Sequence, residues 1–278
     1  MITRSEKMLK CISPKSQKGI EIGALDKPLV SPVDGYVKYI DYATTEELKI
    51  SSKRRCPSDM VEVDYVWGDH TLQELLSDEG KLDYAIASHV LEHVPDFIGW
   101  LNEIHSILKP GGMLTLALPH KERCFDYFRN KSSTGDVVDA YIRKARKPSP
   151  KAIFEATAQA VSYDGRLAWG GEVDQSMLKE VSTNKDAFLK AKKAFDSDTY
   201  QDAHCWVFTP ESFFKIIKDL IEMNLFGFRV AQFYNVNGCE FFVTLESVVS
   251  SNQETVDSQL CSLPFNIGMS NVEDIVAA

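Results

Sequence analysis

Six histidines punctuate the chain: His70, His89, His93, His105, His120 and His204. Imidazole is the side chain whose ordinary pKa lies nearest neutrality, so proton transfer is the first chemistry they offer. His120 follows the apolar run at 113–118, which reads as a strand, and therefore falls at that strand's C-terminal rim. His204 precedes CWVFTPESF, where a polar stretch hands the chain back to an apolar pattern. These two could converge over a reacting atom as the general base, His120 the first choice and His204 the second, or could serve only to orient the polar stretch by hydrogen bonding. His93 closes the tetrad VLEH, where packing or a loop hydrogen bond competes with a catalytic role; His105 sits on a helix face and reads as structural. The six cysteines, Cys11, Cys56, Cys124, Cys205, Cys239 and Cys261, are far apart with no C-x-x-C pair, so reduced, packed thiols are expected, with neither a disulfide scaffold nor a metal site.

A second kind of chemistry is binding by carboxylates at strand ends. The stretch GIEIGALDKP (19–28) runs from apolar residues into an acid and a glycine, as at the first turn of a nucleotide-binding α/β domain, yet only Gly23 is present. A dinucleotide site needs G-x-G-x-x-G, because a pyrophosphate must approach the backbone closely. A phosphate-free nucleoside asks less: one close backbone approach and an acid for its ribose. Asp41, 18 residues beyond Gly23 at the end of YIDY, is near the spacing for that acid. It could instead cap the following turn.

The elements that must position these groups alternate. Strands are expected at 19–23, 37–41, 61–67, 82–88 and 113–118; the last two are near-continuous apolar runs, as in parallel strands covered on both faces. Between them, Phe97, Trp100, Leu101, Ile104 and Leu108 recur at helical spacing, Asp96 is placed to cap, and Pro110-Gly111-Gly112 cannot continue the helix. From about 121 to 203 the apolar content falls, and two helical patterns, 149–161 and 173–195, flank a flexible SYDGRLAWGG, reading as a helical insertion or lid. Within it, residues 121–151 hold nine Lys/Arg against four acids, a net of +5 in a chain of net charge −9. Thr209-Pro210 then opens a helix with Phe213, Phe214, Ile217, Leu220 and Ile221 inward, and two strands flank the turn Asn237-Gly238. One domain over 1–250 is expected, and 251–278 reads as a polar, loosely docked or disordered tail.

At 278 residues and 44% hydrophobic, the chain can bury a full core, and its acidity (pI about 5.2) argues against a general binder of nucleic acid or anionic membrane. With no apolar stretch of signal-peptide or bilayer-spanning length, a cytoplasmic protein without membrane insertion is expected.

EIGA (21–24), YIDY (39–42), WGDH (67–70), LDYAIASHVLEHVPD (82–96), LKPGGMLTLALPH (108–120) and the terminal hairpin together resemble the class I S-adenosylmethionine-dependent methyltransferases, of the small-molecule, type 11-like kind. GIEIGALDKPLV, HKERCFDYFR and HCWVFTPESF look similar to a bacterial branch linked to glycan modification. The resemblance implies a Rossmann-like methyltransferase fold of class α/β: a mostly parallel seven-stranded sheet with a C-terminal antiparallel hairpin. It implies S-adenosyl-L-methionine as cofactor, with S-adenosyl-L-homocysteine as product. Glu21 and Gly23 would meet the methionine end, Asp41 the ribose hydroxyls and Asp69 the adenine amino group, while Ser88 and His89 would line the pocket. One departure is that 24–35 carries Pro28 and Pro32 where the family continues with glycines and a helix.

The implied activity is methyl transfer to a hydroxyl, or an amine, of a small polar acceptor, sugar-containing in this branch; the oligomeric state is left open. Lys121, Arg123 and Arg129, directly after the rim, would meet an anionic group on that acceptor. Tyr163, Trp169 and Trp206 could stack on a sugar ring or simply pack the lid. The alternative is a non-catalytic cofactor-binding or scaffold protein of the same fold. A nicotinamide oxidoreductase is disfavoured by the missing glycines and the closing hairpin.

Overall fold

Why LDYAIAS becomes a central strand is plain from its surroundings: five of its seven residues are buried, since both sheet faces are covered, and strict alternation is not required. The computed structural model describes residues 2–51, 57–249 and 252–265. In chain order these form α1 (Arg4–Leu9), β1 (Lys18–Ile22), β2 (Tyr36–Asp41), α2 (Thr45–Ser51), β3 (Tyr65–Val66), α3 (Leu72–Leu75), β4 (Leu82–Ser88), α4 (Phe97–Ile107) and β5 (Leu108–Pro119). There follow α5 (Thr134–Ile142), α6 (Pro150–Ala158), β6 (Val161–Ser162), β7 (Lys179–Glu180), α7 (Asn184–Asp196), α8 (Pro210–Glu222), β8 (Phe228–Asn237), β9 (Glu240–Ser247) and α9 (Gln253–Cys261).

The main sheet has the order β3-β2-β1-β4-β5-β9-β8. Strands β1 to β5 are parallel, while β9 runs antiparallel to both β5 and β8. The fold is therefore α/β with a mostly parallel seven-stranded sheet, as expected. Strand order reverses between β1 and β4, and open α/β sheets bind ligands in the crevice such a reversal opens at the strands' C-terminal ends. One face is packed by Phe97 and Ile104 of α4, Val137 of α5, and Phe213 and Ile217 of α8; the other by Met8 of α1 together with Ile12 and Val30. Asp96 caps α4 by accepting from the Gly99 amide (2.8 Å), and Gly238 turns the hairpin at φ +68°.

Several elements differ from the sequence expectation. The third strand shrinks to two residues because Asp64 is held by its side chain, accepting from Lys38 Nζ (2.7 Å) and the Tyr39 amide (2.8 Å). In the insertion, Thr183 caps α7 and delays it to Asn184, leaving a short strand, Lys179–Glu180, upstream. Helix α5, unread in the sequence, closes a capping box between Ser133 and Asp136 and packs on α4 and α8, so part of the insertion belongs to the main core. Helix α1 was likewise unread. In the supposed tail, α9 docks: the buried Gln259 amide donates to the carbonyls of Phe226 (2.7 Å) and Phe228 (2.8 Å), and Val256, Leu260, Leu263 and Phe265 join the core. Cys56 and tail residues 266–278 lie outside the described residues; the described cysteines are free thiols. No described helix is long and apolar enough to cross a membrane.

Candidate active site

The crest of β1 and β2 presents the groups expected for a nucleoside. Gly23 follows β1 at φ +69°, its amide bonded to the Ile40 carbonyl (3.0 Å), and a Cβ there would meet Val90 Cγ2 at 2.9 Å. Both conditions require glycine. Asp41 ends β2, buried, its Oδ1 accepting from the Tyr42 amide (2.8 Å). Glu21 behaves otherwise than expected. Its buried carboxylate accepts from the amides of Leu29 (2.9 and 3.0 Å) and Val30 (3.1 Å), so it is spent on the 24–35 loop rather than facing the crest. Burial pushes its carboxyl up to about 7, with those amides pulling the other way. That loop forms turns and bends, not a helix, and a carboxylate orders it where the family uses glycines. Asp69 is on the surface, its carboxylate 2.9 Å from Arg146 of the insertion.

Segment 88–93 links this crest to a polar cluster. Ser88 Oγ accepts from Arg4 Nη2 (2.5 Å), and the same guanidinium's Nε donates to Glu240 (2.8 Å). His89, at φ +55°, pairs through Nε2 with Glu240 (2.8 Å) and places Nδ1 3.3 Å from Glu92 Oε1. Burial disfavours its charge, but the two carboxylates outweigh that and raise it to about 9. Glu92 itself is fully buried, and neither of its oxygens accepts a hydrogen bond; the 3.3 Å approach of His89 is an ion pair without hydrogen-bond alignment. Although burial works against ionisation, His89, His204 and His93 hold its carboxyl below the ordinary value.

The insertion completes the cluster. Asp126 lies between Arg129 Nη1 (2.7 Å) and His204 Nδ1 (2.5 Å), all three buried. Burial opposes the Asp126 charge, yet His204 and Arg129 keep it below the ordinary carboxylate range, so the ionised acid orients the imidazole through Nδ1. His93 Nδ1 is likewise 2.8 Å from Asp202, and the His93 and His204 rings meet edge to face at 4.6 Å.

His120 sits at the β5 rim as expected, but its Nδ1 accepts from the Glu122 amide (3.1 Å) and burial lowers its pKa. A neutral imidazole bonded so carries its proton on Nε2 and has no free lone pair, which counts against it as the base. The expected anion receptors are also engaged internally: Arg129 with Asp126, Arg123 with the Gly238 carbonyl (3.1 Å), and Lys121 with the Tyr127 carbonyl. Trp169 and Trp206 are buried, donating to the carbonyls of Glu122 (3.2 Å) and Val94 (2.6 Å). Sequence reasoning missed Arg4, Glu92, Asp126, Asp202 and Glu240. Only Glu92 carried a signal, its place beside His93 in VLEH.

Comparison with known proteins adds a family. A family model described as a methyltransferase domain matches residues 18–220. Among solved structures, the carbon methyltransferase of CurJ is similar at 14% identity and TM-score 0.40, covering 87% of this chain and 51% of its own, so the chain spans about half its length. An S-adenosylmethionine-dependent methyltransferase from Aquifex aeolicus is similar at 13% identity and TM-score 0.41, covering 89% and 91%. A third, from Listeria monocytogenes and provisionally named an S-adenosylmethionine-dependent methyltransferase, has 11% identity and TM-score 0.43, covering 88% and 96%. No curated protein sequence matches the chain.

Proposed function

Because the chain belongs to the methyltransferase-domain family, we propose that it transfers a methyl group from S-adenosylmethionine to a hydroxyl of a small polar acceptor, a sugar or sugar-containing metabolite. The crest fits the cofactor's nucleoside: Asp41 would hold ribose hydroxyls, and the missing Cβ of Gly23 leaves room beside the backbone. When bound, that cofactor supplies an activated methyl group on sulfur. The remaining work falls to the chain, which must align the acceptor and dispose of its proton. The observation that carries this reading is His204, clamped through Nδ1 by an ionised Asp126 that Arg129 holds in turn, in one cluster with Glu92 and His93. We place the acceptor hydroxyl there, so its activation depends on His204. The rim carries Asp202 and His93, both able to hydrogen-bond further hydroxyls, which favours a sugar; with Lys121, Arg123 and Arg129 engaged internally, an anionic acceptor loses its support.

His204→Ala should lower kcat by about 10²-fold or more with S-adenosylhomocysteine affinity, measured by calorimetry, within about threefold of the parent. Full turnover in that variant would end the assignment. The scaffold alternative drew on the degenerate first loop, but Glu21 orders that loop, so its departures are no argument against a cofactor. Absence of S-adenosylhomocysteine binding in the unaltered chain would revive it.

A further inference from the structure

The proposed function leaves one group unexplained. Glu92 is fully buried, and neither carboxylate oxygen has a hydrogen-bond partner. Burying a carboxylate is costly unless it is paired or ligates a cation. Among the described residues, the His89 ring approaches one oxygen at 3.3 Å without hydrogen-bond alignment. Facing the carboxylate are two imidazoles, His93 and His204, and one ligand atom from each of the three residues lies within 4.8 Å of the others.

We propose that Glu92, His93 and His204 form a divalent transition-metal site. Both histidines have Nδ1 engaged by a carboxylate, Asp202 at 2.8 Å and Asp126 at 2.5 Å, which fixes each ring and leaves Nε2 for an ion. Carboxylate-oriented histidines are the usual outer shell of protein metal centres. Metal to N or O bonds of about 2.0–2.2 Å need donors about 3–4 Å apart, so the three groups must close by roughly an ångström, within the reach of small side-chain rotations. Two imidazoles and one carboxylate favour Mn2+, Co2+ or Zn2+ over the oxygen-seeking Mg2+ and Ca2+. Glu92 and His204 form a dry floor, while the His93 side chain, 32% exposed, marks the way in from solvent. Three protein ligands leave a coordination position open. The inference deepens the proposed function and rests on its placement of the acceptor: an ion there would hold the hydroxyl and favour loss of its proton to water, with His204 a ligand instead of the proton's final acceptor.

The test is metal binding itself, measured without acceptor or cofactor. The full chain, stripped by chelator, is titrated with Mn2+ or Zn2+ in a calorimeter; about one ion per chain is expected, with affinity reduced tenfold or more in both Glu92→Gln and His93→Ala. No saturable binding up to about 1 mM metal, or binding unaltered in folded variants, overturns the site. If a variant fails to fold by circular dichroism, the visible spectrum of the Co2+-loaded parent decides: nitrogen and oxygen ligation supports the site, and a thiolate charge-transfer band overturns it. Binding that fails while His204→Ala is inactive removes only the metal. Binding that holds without hydroxyl methylation removes only the acceptor reading.

Discussion

Two buried glutamates have opposite kinds of partner. Glu21, behind the proposed cofactor wall, is surrounded by backbone amides eight and nine residues away, and burial keeps its carboxyl near neutrality, raised to about 7. Glu92, on the proposed acceptor wall, has no amide partner, and burial is outweighed there by three histidines that hold it ionised. An acid fed by neighbouring amides organises a loop. An acid fed by imidazoles, two from its own segment and one from the distant residue 204, stores charge in a dry place, where electrostatic interactions are strong and chemistry can use them.

The comparison can be broken at several points. The acceptor wall should be the costlier to disturb. Asp126→Ala strands Arg129 as a buried unpaired cation, 3% exposed, and should cost about 3–5 kcal/mol in urea denaturation. A loss below about 1 kcal/mol would mean that this wall does not depend on the pair.

On the cofactor wall the expected signature is a pH slope. A carboxyl whose folded pKa is raised binds its proton more tightly in the native state, so its contribution is fully present below 4.5 and is lost as pH rises through about 7. The cofactor-free chain should therefore lose on the order of 3 kcal/mol from Glu21 across that window, and Glu21→Gln should flatten the slope. An unchanged slope in the variant would show that Glu21 is hydrated. The smallest effect is at Gly23, where a side chain at φ +69° and a 2.9 Å clash with Val90 should cost about 1–2 kcal/mol in Gly23→Ala and weaken S-adenosylhomocysteine binding. Unimpaired binding would remove the close approach from the crest.

Much of the cofactor wall was legible in the chain because its geometry is local. LDYAIAS was read to its observed ends, Asp96 was placed as the cap it is, and Gly23 and Asp41 sit on adjacent parallel strands, so their spacing in sequence carries over to the crest. The short helix α1 was missed because six residues offer almost no periodicity, and α5 because its basic surroundings hid an apolar face of only Val137 and Ala140. Helix α9 reads as polar, and its docking rests on one buried glutamine and a few apolar contacts. On the acceptor wall, His93 and His204 were named in the sequence, but Asp202 is 109 residues from the one and Asp126 is 78 from the other. No spacing rule joins such pairs.

Apolar runs and their flanking signals were enough to place four of the five expected parallel strands, one obligatory glycine and an acid at a strand end, because strand propensity and backbone torsion are properties of short segments. Which histidine a buried carboxylate clamps, which arginine is sealed inside, and which glutamate is left without a donor were decided only by tertiary packing. Proton affinity and ion pairing depend on separations of a few ångströms in a dry interior, and those separations are set by how distant segments pack together.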